Sequence, residues 1–330
     1  MKKPTKTESR KKQHVDFVLD KGAQYVKTSG FERVEFMHNA LPEISMDSVD
    51  LSVRFLGSTL RWPIVICAAT GGYGPAERIN HDLASAAQRH GLAFGLGSQR
   101  AMIEEPALAK TYNVRDVAPD VPLLANIGAY QLKHYPIKKI EAMVSAVDAD
   151  ALAIHLNALQ EAIQPEGDRD FSGVLCAITK TCERLSVPVI VKETGAGISQ
   201  DVAIRLKEAG VKYIDVAGAG GTSWSKVEYL RSKGVPGFEE WGIPTVECII
   251  QCRGVLPLIA SGGIRCGIDG AKAIALGAEL WGAAYPFIVA QSEGKLDAKI
   301  EKYKTQMQVA AYLSGSKSHE ELKRAKLIFR

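Results

Sequence analysis

Polar side chains and glycines follow each of eight short apolar runs in this sequence. The strings that end the runs are TGG at 70–72, GSQR at 97–100, NIG at 126–128, HLN at 155–157, KETG at 192–195, GAGGTSW at 218–224, SGGIR at 261–265 and GAA at 282–284. A turn or a helix cap would explain any one of them. Their joint occurrence predicts a functional face at which the ends of eight strands converge.

The last two strings have the composition of a phosphate site. Their glycines leave backbone N–H groups accessible at a predicted helix start, and the small residues keep the neighbouring strand end free of bulk. The residues concerned are Gly262, Gly263, Gly267, Ala283 and Ala284, and Arg265 can add a charge-assisted contact. The phosphate belongs either to a phosphorylated substrate or to the tail of a flavin.

The remaining strand ends favour a flavin. The polar edge of an isoalloxazine ring needs hydrogen-bonding partners. Hydroxyls, an amide and one cation of this kind are present in Thr70, Ser98, Asn126, Lys192 and Thr222. Lys192 follows the apolar run 187–191, so we expect it to be desolvated and to place positive charge near the N1/O2 edge of a reduced flavin. The alternative is a structural ion pair with Glu193.

A second group of polar residues lies in the segment 154–169 (IHLNALQEAIQPEGDR). Five hydrogen-bonding side chains follow one predicted strand with almost no spacer, namely His155, Asn157, Gln160, Glu161 and Gln164. Glu161 is the best metal candidate, because a hard carboxylate can hold Mg²⁺ through waters against substrate phosphates.

The elements that position these residues alternate between strands and helices. The apolar runs begin near residues 63, 92, 121, 151, 187, 211, 257 and 278, and amphipathic segments such as 77–91, 172–185, 199–210 and 267–277 lie between them. This order predicts an α/β fold, a single (β/α)₈ TIM-barrel domain over residues 63–290. We expect an N-terminal arm and cap at 1–62, a long loop after strand six at 220–254, and a C-terminal helical segment at 291–330. The first two pieces are expected to cover the barrel mouth. An open doubly wound sheet is the alternative, but no GxGxxG turn follows the first strand.

Composition restricts the class of protein. Of 330 residues, 46% are hydrophobic and 24% charged, and the net charge of +4 is too small for a nucleic-acid partner. No run of 18 uncharged apolar residues and no apolar leader is present, so we expect a soluble, cytoplasmic protein with no membrane partner.

The six cysteines form no CxxC pair, which indicates reduced thiols. Six basic residues crowd the first twelve positions, typical of a solvated arm or an anion contact.

Taken together, the strings resemble the type 2 isopentenyl diphosphate isomerases, FMN-dependent barrel enzymes. The resemblance covers nearly the whole chain and is most specific at HLNALQEAIQPEGDR (155–169) and KETGAGIS (192–199); it extends to SRKKQH (9–14), GSQR (97–100), DVAGAGGTSW (215–224) and SGGIRCGIDGAKAIALGA (261–278).

The resemblance implies an isomerisation of isopentenyl to dimethylallyl diphosphate, with reduced FMN as acid and base, NADPH as reductant and Mg²⁺ on the diphosphate. It implies FMN contacts from Ala69, Thr70, Gly71, Ser98, Asn126, Lys192, Thr222, Gly262, Gly263, Arg265, Gly267, Ala283 and Ala284. It implies substrate contacts from Arg10, Lys11, His14, Ser98, Arg100, His155, Asn157 and Gln160, with His155, Asn157 and Gln160 at the reacting centre and Glu161 as the metal ligand. It also implies a homo-oligomer, a tetramer or octamer.

One position departs from the family pattern. Ala69 stands where the family typically has a methionine against the flavin, which removes a flexible apolar contact. Two other functions therefore stay open. A 2-hydroxy-acid oxidase would need a catalytic histidine in the loop DVAGAGGTSWSK, which has none, and a flavin-binding module without catalysis would need no such residue.

Overall fold

The computed structural model describes residues 22–67 and 70–330, together with residues 13, 14, 16, 17 and 19. Eight parallel strands close into a barrel in chain order, which confirms the predicted TIM-barrel class. The strands are β4 (Ile64–Ile66), β5 (Ala93–Gly95), β6 (Leu123–Gly128), β7 (Ala151–Leu156), β8 (Val189–Glu193), β9 (Tyr213–Asp215), β10 (Leu258–Ala260) and β11 (Leu280–Ala283). Each strand begins at the predicted start of its apolar run or one or two residues after it.

Helices connect these strands and pack on the outside of the barrel. In chain order they are α1 (Ala76–His90), α2 (Arg100–Glu104), α3 (Ala129–Leu132), α4 (Ile137–Ala146), α5 (Ala158–Ile163), α6 (Val174–Arg184), α7 (Gln200–Glu208), α8 (Trp224–Ser232), α9 (Thr245–Cys252), α10 (Gly267–Leu276) and α11 (Tyr285–Ser292). Apolar helix faces and outward strand residues form one continuous core, because each amphipathic helix buries its apolar stripe against the sheet.

The long segment after β9 builds one side of the barrel mouth, as predicted. It contains α8 and then α9, which leads to β10. Residues 24–29 run along it: Tyr25 N–H donates to the carbonyl of Gly221, and Gln24 forms a β-bridge with Thr222. Among the described residues of the early chain, this stretch lies at the mouth next to the predicted phosphate site, and His14 contacts Trp224 of α8 there.

Another part of the early chain closes the opposite end of the barrel, and here the expectation was wrong. The antiparallel hairpin of β2 (Val53–Phe55) and β3 (Ser58–Leu60) buries Phe55 and Leu60 against interior residues near the amino ends of the barrel strands. Phe55 also makes an edge contact with Tyr213, the first residue of β9, at 5.1 Å between ring centroids. The hairpin is thus a hydrophobic plug at the end remote from the site.

The C-terminal segment is helical and then returns to the start of the chain. It comprises α12 (Leu296–Leu313), α13 (His319–Leu322) and β12 (Leu327–Phe329). β12 pairs antiparallel with β1 (Val34–Phe36), a strand that the sequence analysis did not predict. Within the described residues no helix combines the length and the apolarity needed to cross a bilayer.

Candidate active site

The carboxyl ends of the barrel strands surround a cavity of about 300 Å³, at the low end of the range for small-molecule sites. Most of the predicted site residues that the structure describes line it: His14, Thr70, Gly71, Ser98, Arg100, Asn126, His155, Asn157, Gln160, Glu161, Lys192, Thr222, Gly262, Ala283 and Ala284. The structure therefore brings together side chains that lie up to 270 residues apart in sequence, because parallel strand ends converge.

Gly262 is a glycine of the cavity wall that no other residue can replace. Its φ is +100°, and a Cβ there would lie 2.1 Å from the carbonyl oxygen of Gly218. Only glycine can make this turn, which keeps main-chain atoms at the cavity surface beside Ala283 and Ala284. A backbone cradle with small neighbours is the arrangement expected for a phosphate.

Three residues predicted for the phosphate site are not among those that line this cavity. Gly263 and Arg265 line a separate hollow together with residues 25–29, 31 and 32. Arg265 donates to the side-chain carbonyl of Gln24 and stacks over Tyr285, 4.8 Å from the ring centroid. Gly267 donates its N–H to Gln306 Oε1 at 2.8 Å, so this N–H is committed to α12 and not to the cavity.

Lys192 lies in the cavity wall and does not form the ion pair with Glu193 that was its alternative role. Its ammonium donates to the main-chain carbonyl of Glu193 at 2.6 Å. The Glu193 carboxylate instead accepts successive N–H groups of residues 194–197. The loop after β8 thus satisfies the glutamate, and Lys192 remains part of the cavity wall.

The residues that follow β7 form a hydrogen-bonded set on one side of the cavity. His155 Nδ1 lies 2.8 Å from Asn126 Oδ1; an amide oxygen can only accept, so Nδ1 carries the hydrogen. Glu161 accepts from the Asn157 amide at 2.9 Å and from the N–H of Asp168 at 2.8 Å. These bonds fix both side chains before any ligand enters.

Glu228 on α8 is a site residue that the sequence analysis missed. Its side chain is fully buried and accepts from His14 Nε2 at 2.9 Å, Gln160 Nε2 at 3.0 Å and Arg231 Nε at 2.7 Å. Burial alone would raise the pKa of this carboxyl, but donation by His14, Gln160 and Arg231 lowers it to about 2 from 4.5. In sequence, Glu228 and Arg231 have the i,i+3 spacing of an ordinary surface ion pair, so only the fold reveals the contact.

Arg100 is held by acidic neighbours at the rim of the cavity. Its Nε donates to Glu104 at 2.7 Å, and one terminal nitrogen lies 3.4 Å from Asp168. Two other predicted phosphate ligands, Arg10 and Lys11, and the cofactor residue Ala69 fall outside the described residues.

The donor set suits FMN and offers Mg²⁺ a single carboxylate. Hydroxyl, amide and ammonium groups share one cavity with a backbone cradle, as a flavin with a phosphate tail requires. No group of three or more His, Cys, Asp or Glu side chains able to hold a metal occurs in the described part of the chain. A cation at Glu161 would thus need oxygens from a bound diphosphate and water.

Relatives with curated names match this chain over nearly its full length. The proteins of Synechococcus, Rickettsia felis and Pyrococcus furiosus are 49%, 46% and 44% identical to it. The alignments cover 96%, 96% and 100% of this chain and 94%, 96% and 88% of those proteins, and each is named isopentenyl-diphosphate delta-isomerase. A family defined by a conserved region in glutamate synthase also matches residues 170–293.

Solved structures with the same fold are far more distant in sequence. A lactate oxidase of Pediococcus acidilactici aligns with a TM-score of 0.72 at 18% identity, covering 100% of this chain and 96% of that one. A mandelate oxidase variant with benzaldehyde aligns with a TM-score of 0.67 at 17% identity, covering 97% and 98%. At these identities the similarity establishes the barrel fold.

Proposed function

The chain belongs to the isopentenyl-diphosphate delta-isomerase family, and from this premise we propose that it interconverts isopentenyl and dimethylallyl diphosphate with FMN as its cofactor. The observation that carries the proposal is the single cavity in which Lys192, Asn126 and the Gly262 turn meet His155 and Gln160. It combines a place for a flavin with a place for a charged substrate.

The cofactor would be held by two kinds of contact. Thr70, Ser98, Asn126 and Thr222 would bind the polar edges of the ring and its side chain, with Lys192 at the N1/O2 edge, while the Gly262 turn and the small residues 283–284 would receive the phosphate. When bound in its reduced form, FMN supplies an acid and base at N5 and negative charge close to a cationic transition state.

The substrate would be oriented by its diphosphate. Arg100, His155 and Asn157 lie on one side of the cavity and can donate to phosphate oxygens, and Arg10, Lys11 and His14 would approach from the N-terminal arm. Binding energy from these contacts, remote from the reacting carbons, would hold the alkene in position.

Gln160 would contact the alkene end of the substrate. Its amide is anchored by the buried Glu228 carboxylate, which also binds His14. Gln160 and His14 line the cavity together with Trp224, whose ring centroid lies 5.2 Å from that of His14, and these side chains would restrict water. Restricting water protects a carbocation-like transition state.

Four finer features are part of the same proposal. Mg²⁺ would be held by Glu161 together with the substrate diphosphate, and NADPH would reduce the flavin without net redox change. The protein would act in the cytoplasm as a homo-oligomer, a tetramer or octamer.

Solvent-deuterium incorporation tests the function. The protein is incubated in D₂O with isopentenyl diphosphate, FMN, Mg²⁺ and NADPH, and the products are analysed by mass spectrometry. Deuterium in dimethylallyl diphosphate that depends on FMN and NADPH is expected. Omitting Mg²⁺ alone tests the metal, and unlabelled, unchanged substrate in the complete reaction would refute isomerase activity.

The fold neighbours motivate a second candidate, a 2-hydroxy-acid oxidase. It is disfavoured because residues 215–226, which face the cavity from β9, contain no histidine, and His155 on β7 is bound to Asn126. Hydrogen peroxide formation from lactate or mandelate under air would favour it. Protein that binds FMN but performs neither reaction would instead be a flavin-binding module.

A further inference from the structure

Asp215 is a buried acid to which the proposed function gives no role. It ends β9 inside the barrel and is only 4% exposed. Its Oδ1 accepts the Ser261 hydroxyl at 2.6 Å and the N–H of Ala217 at 3.2 Å. Burial raises the pKa of this carboxyl, whereas Lys192 and the two hydrogen bonds oppose that rise, so its ionised form depends on a nearby positive charge.

Lys192 is the positive group that faces it. Lys192 on β8 and Asp215 on β9 are Cα partners in the parallel ladder, so both side chains point to the same face of the sheet, the interior. Both also line a second cavity, of about 20 Å³, which lies deeper among the strands and shares Cys67 and Asn126 with the main one. This space admits one water, which would link ammonium and carboxylate.

We propose that Asp215 is a positioning residue that supplies the counter-charge of Lys192 and holds its ammonium toward the cofactor edge, an inference that rests on the proposed function. Asp215 is the one carboxylate among the described residues that line the deeper cavity. Burial raises the pKa of the neighbouring Cys67 thiol, so this group stays neutral. Glu193 is satisfied by its own loop, and His155, on the other side of Lys192 in the ladder, pairs with Asn126.

The expected consequence is coupling between the two residues in cofactor binding. Without the carboxylate, the buried ammonium loses its counter-charge and its fixed position, so its contact with the cofactor weakens. In Asp215→Asn we expect about tenfold weaker FMN binding, on the scale of one lost charge contact.

A double-mutant cycle on FMN binding tests this. Flavin fluorescence is titrated between pH 6 and 9 with the parent, Asp215→Asn, Lys192→Met and the double variant. If Asp215 acts through Lys192, Asp215→Asn changes the FMN Kd less than about twofold in the Lys192→Met background. An equal penalty in both backgrounds overturns the inference.

Two further measurements keep the test decisive. Asp201→Asn removes an exposed aspartate from α7 and should leave the Kd unchanged at every pH. If Asp215→Asn alone fails to fold, folding of the double variant would support the inference, since no unpaired charge remains; failure of the double variant while Lys192→Met folds would contradict it. A parent protein that binds no FMN would instead refute the proposed function.

Discussion

At the scale of single residues, the cavity combines side chains already fixed by the protein with others that await a ligand. His155, Glu161 and Gln160 are each held by a neighbour at hydrogen-bond distance. Arg100 is held only at the rim, by Glu104 and Asp168. Preorganised groups lose little entropy on binding, whereas the arginine must exchange a carboxylate for the diphosphate.

Replacing Arg100 tests its assignment to the diphosphate. In Arg100→Ala we expect the KM for isopentenyl diphosphate to rise at least tenfold, on the order of 1.4 kcal/mol, because a charge-assisted contact is lost. Steady-state kinetics measure this. Arg78→Ala, an arginine on the exposed face of α1, is the control. A KM within twofold of the parent would contradict the assignment.

Glu228 gives stability a specific pH dependence. Its pKa is about 2 in the folded protein against 4.5 in the reference state, so its contribution is complete above pH 4.5 and is lost as pH falls toward 2. The difference corresponds to roughly 3 kcal/mol. Glu228→Gln should therefore lower the free energy of unfolding at pH 7 by about that amount and flatten its decline between pH 4.5 and 3.

Urea unfolding at several pH values measures both effects. Glu247→Gln is a matched control, because Glu247 also pairs with an arginine, Arg33, but both side chains are about half exposed. Such a surface pair contributes about 1 kcal/mol or less. If the two variants had equal stability at pH 7, Glu228 would not be the buried anchor that its contacts indicate.

At the scale of elements, the hairpin of β2 and β3 should contribute to the stability of the fold without contributing to cofactor binding. Phe55 is 1% exposed and packs at the amino end of the barrel, remote from the cavity. Phe55→Ala should cost about 3–5 kcal/mol of unfolding free energy while leaving the FMN Kd unchanged. Thermal denaturation and flavin titration measure the two quantities. Arg54→Ala, which replaces an exposed neighbour on β2, should change neither the unfolding free energy nor the FMN Kd. A changed Kd in Phe55→Ala would show that the hairpin influences the cavity.

The barrel strands were predictable because most of their residues are buried and apolar. β4 (IVI) and β6 (LLANIG) are buried at every position, and runs of this kind stand out between polar helices. The helices between them carry a 3.6-residue period that sequence alone displays. Both signals are local, so they can be recognised in the sequence without knowledge of the fold.

The short strands outside the barrel were not predictable, because their partners are remote in sequence or lie inside the barrel. β1 is three residues long and pairs with β12, whose register joins Val34 to Phe329. The hairpin plug resembles any short surface hairpin until the barrel interior is known. For the same reason the role of Glu228 escaped detection, while residues at strand ends, such as Lys192 and Asn126, were placed correctly in the cavity wall.

At the scale of the whole molecule, one end of the barrel is sealed by hydrophobic packing and the other is open for binding. Phe55 and Leu60 fill the amino end, while Tyr25 and α8 border the carboxyl end. Stability and function therefore draw on different ends of the same barrel, as is usual in this fold. A ligand that contacts several strand ends should stabilise the open end of the barrel.

Cofactor binding should thus stabilise the whole fold. A ligand that binds only the folded state adds about 2.7 kcal/mol at a concentration of 100 times its Kd, so FMN at that level should raise the Tm of the flavin-free protein by about 5 °C. Differential scanning calorimetry measures this. Riboflavin, which lacks the phosphate, leaves the Gly262 cradle unused and should give a clearly smaller shift at the same concentration. Equal shifts with the two flavins would mean that the cradle does not bind the phosphate, whereas no shift with either would remove the flavin from the proposed function.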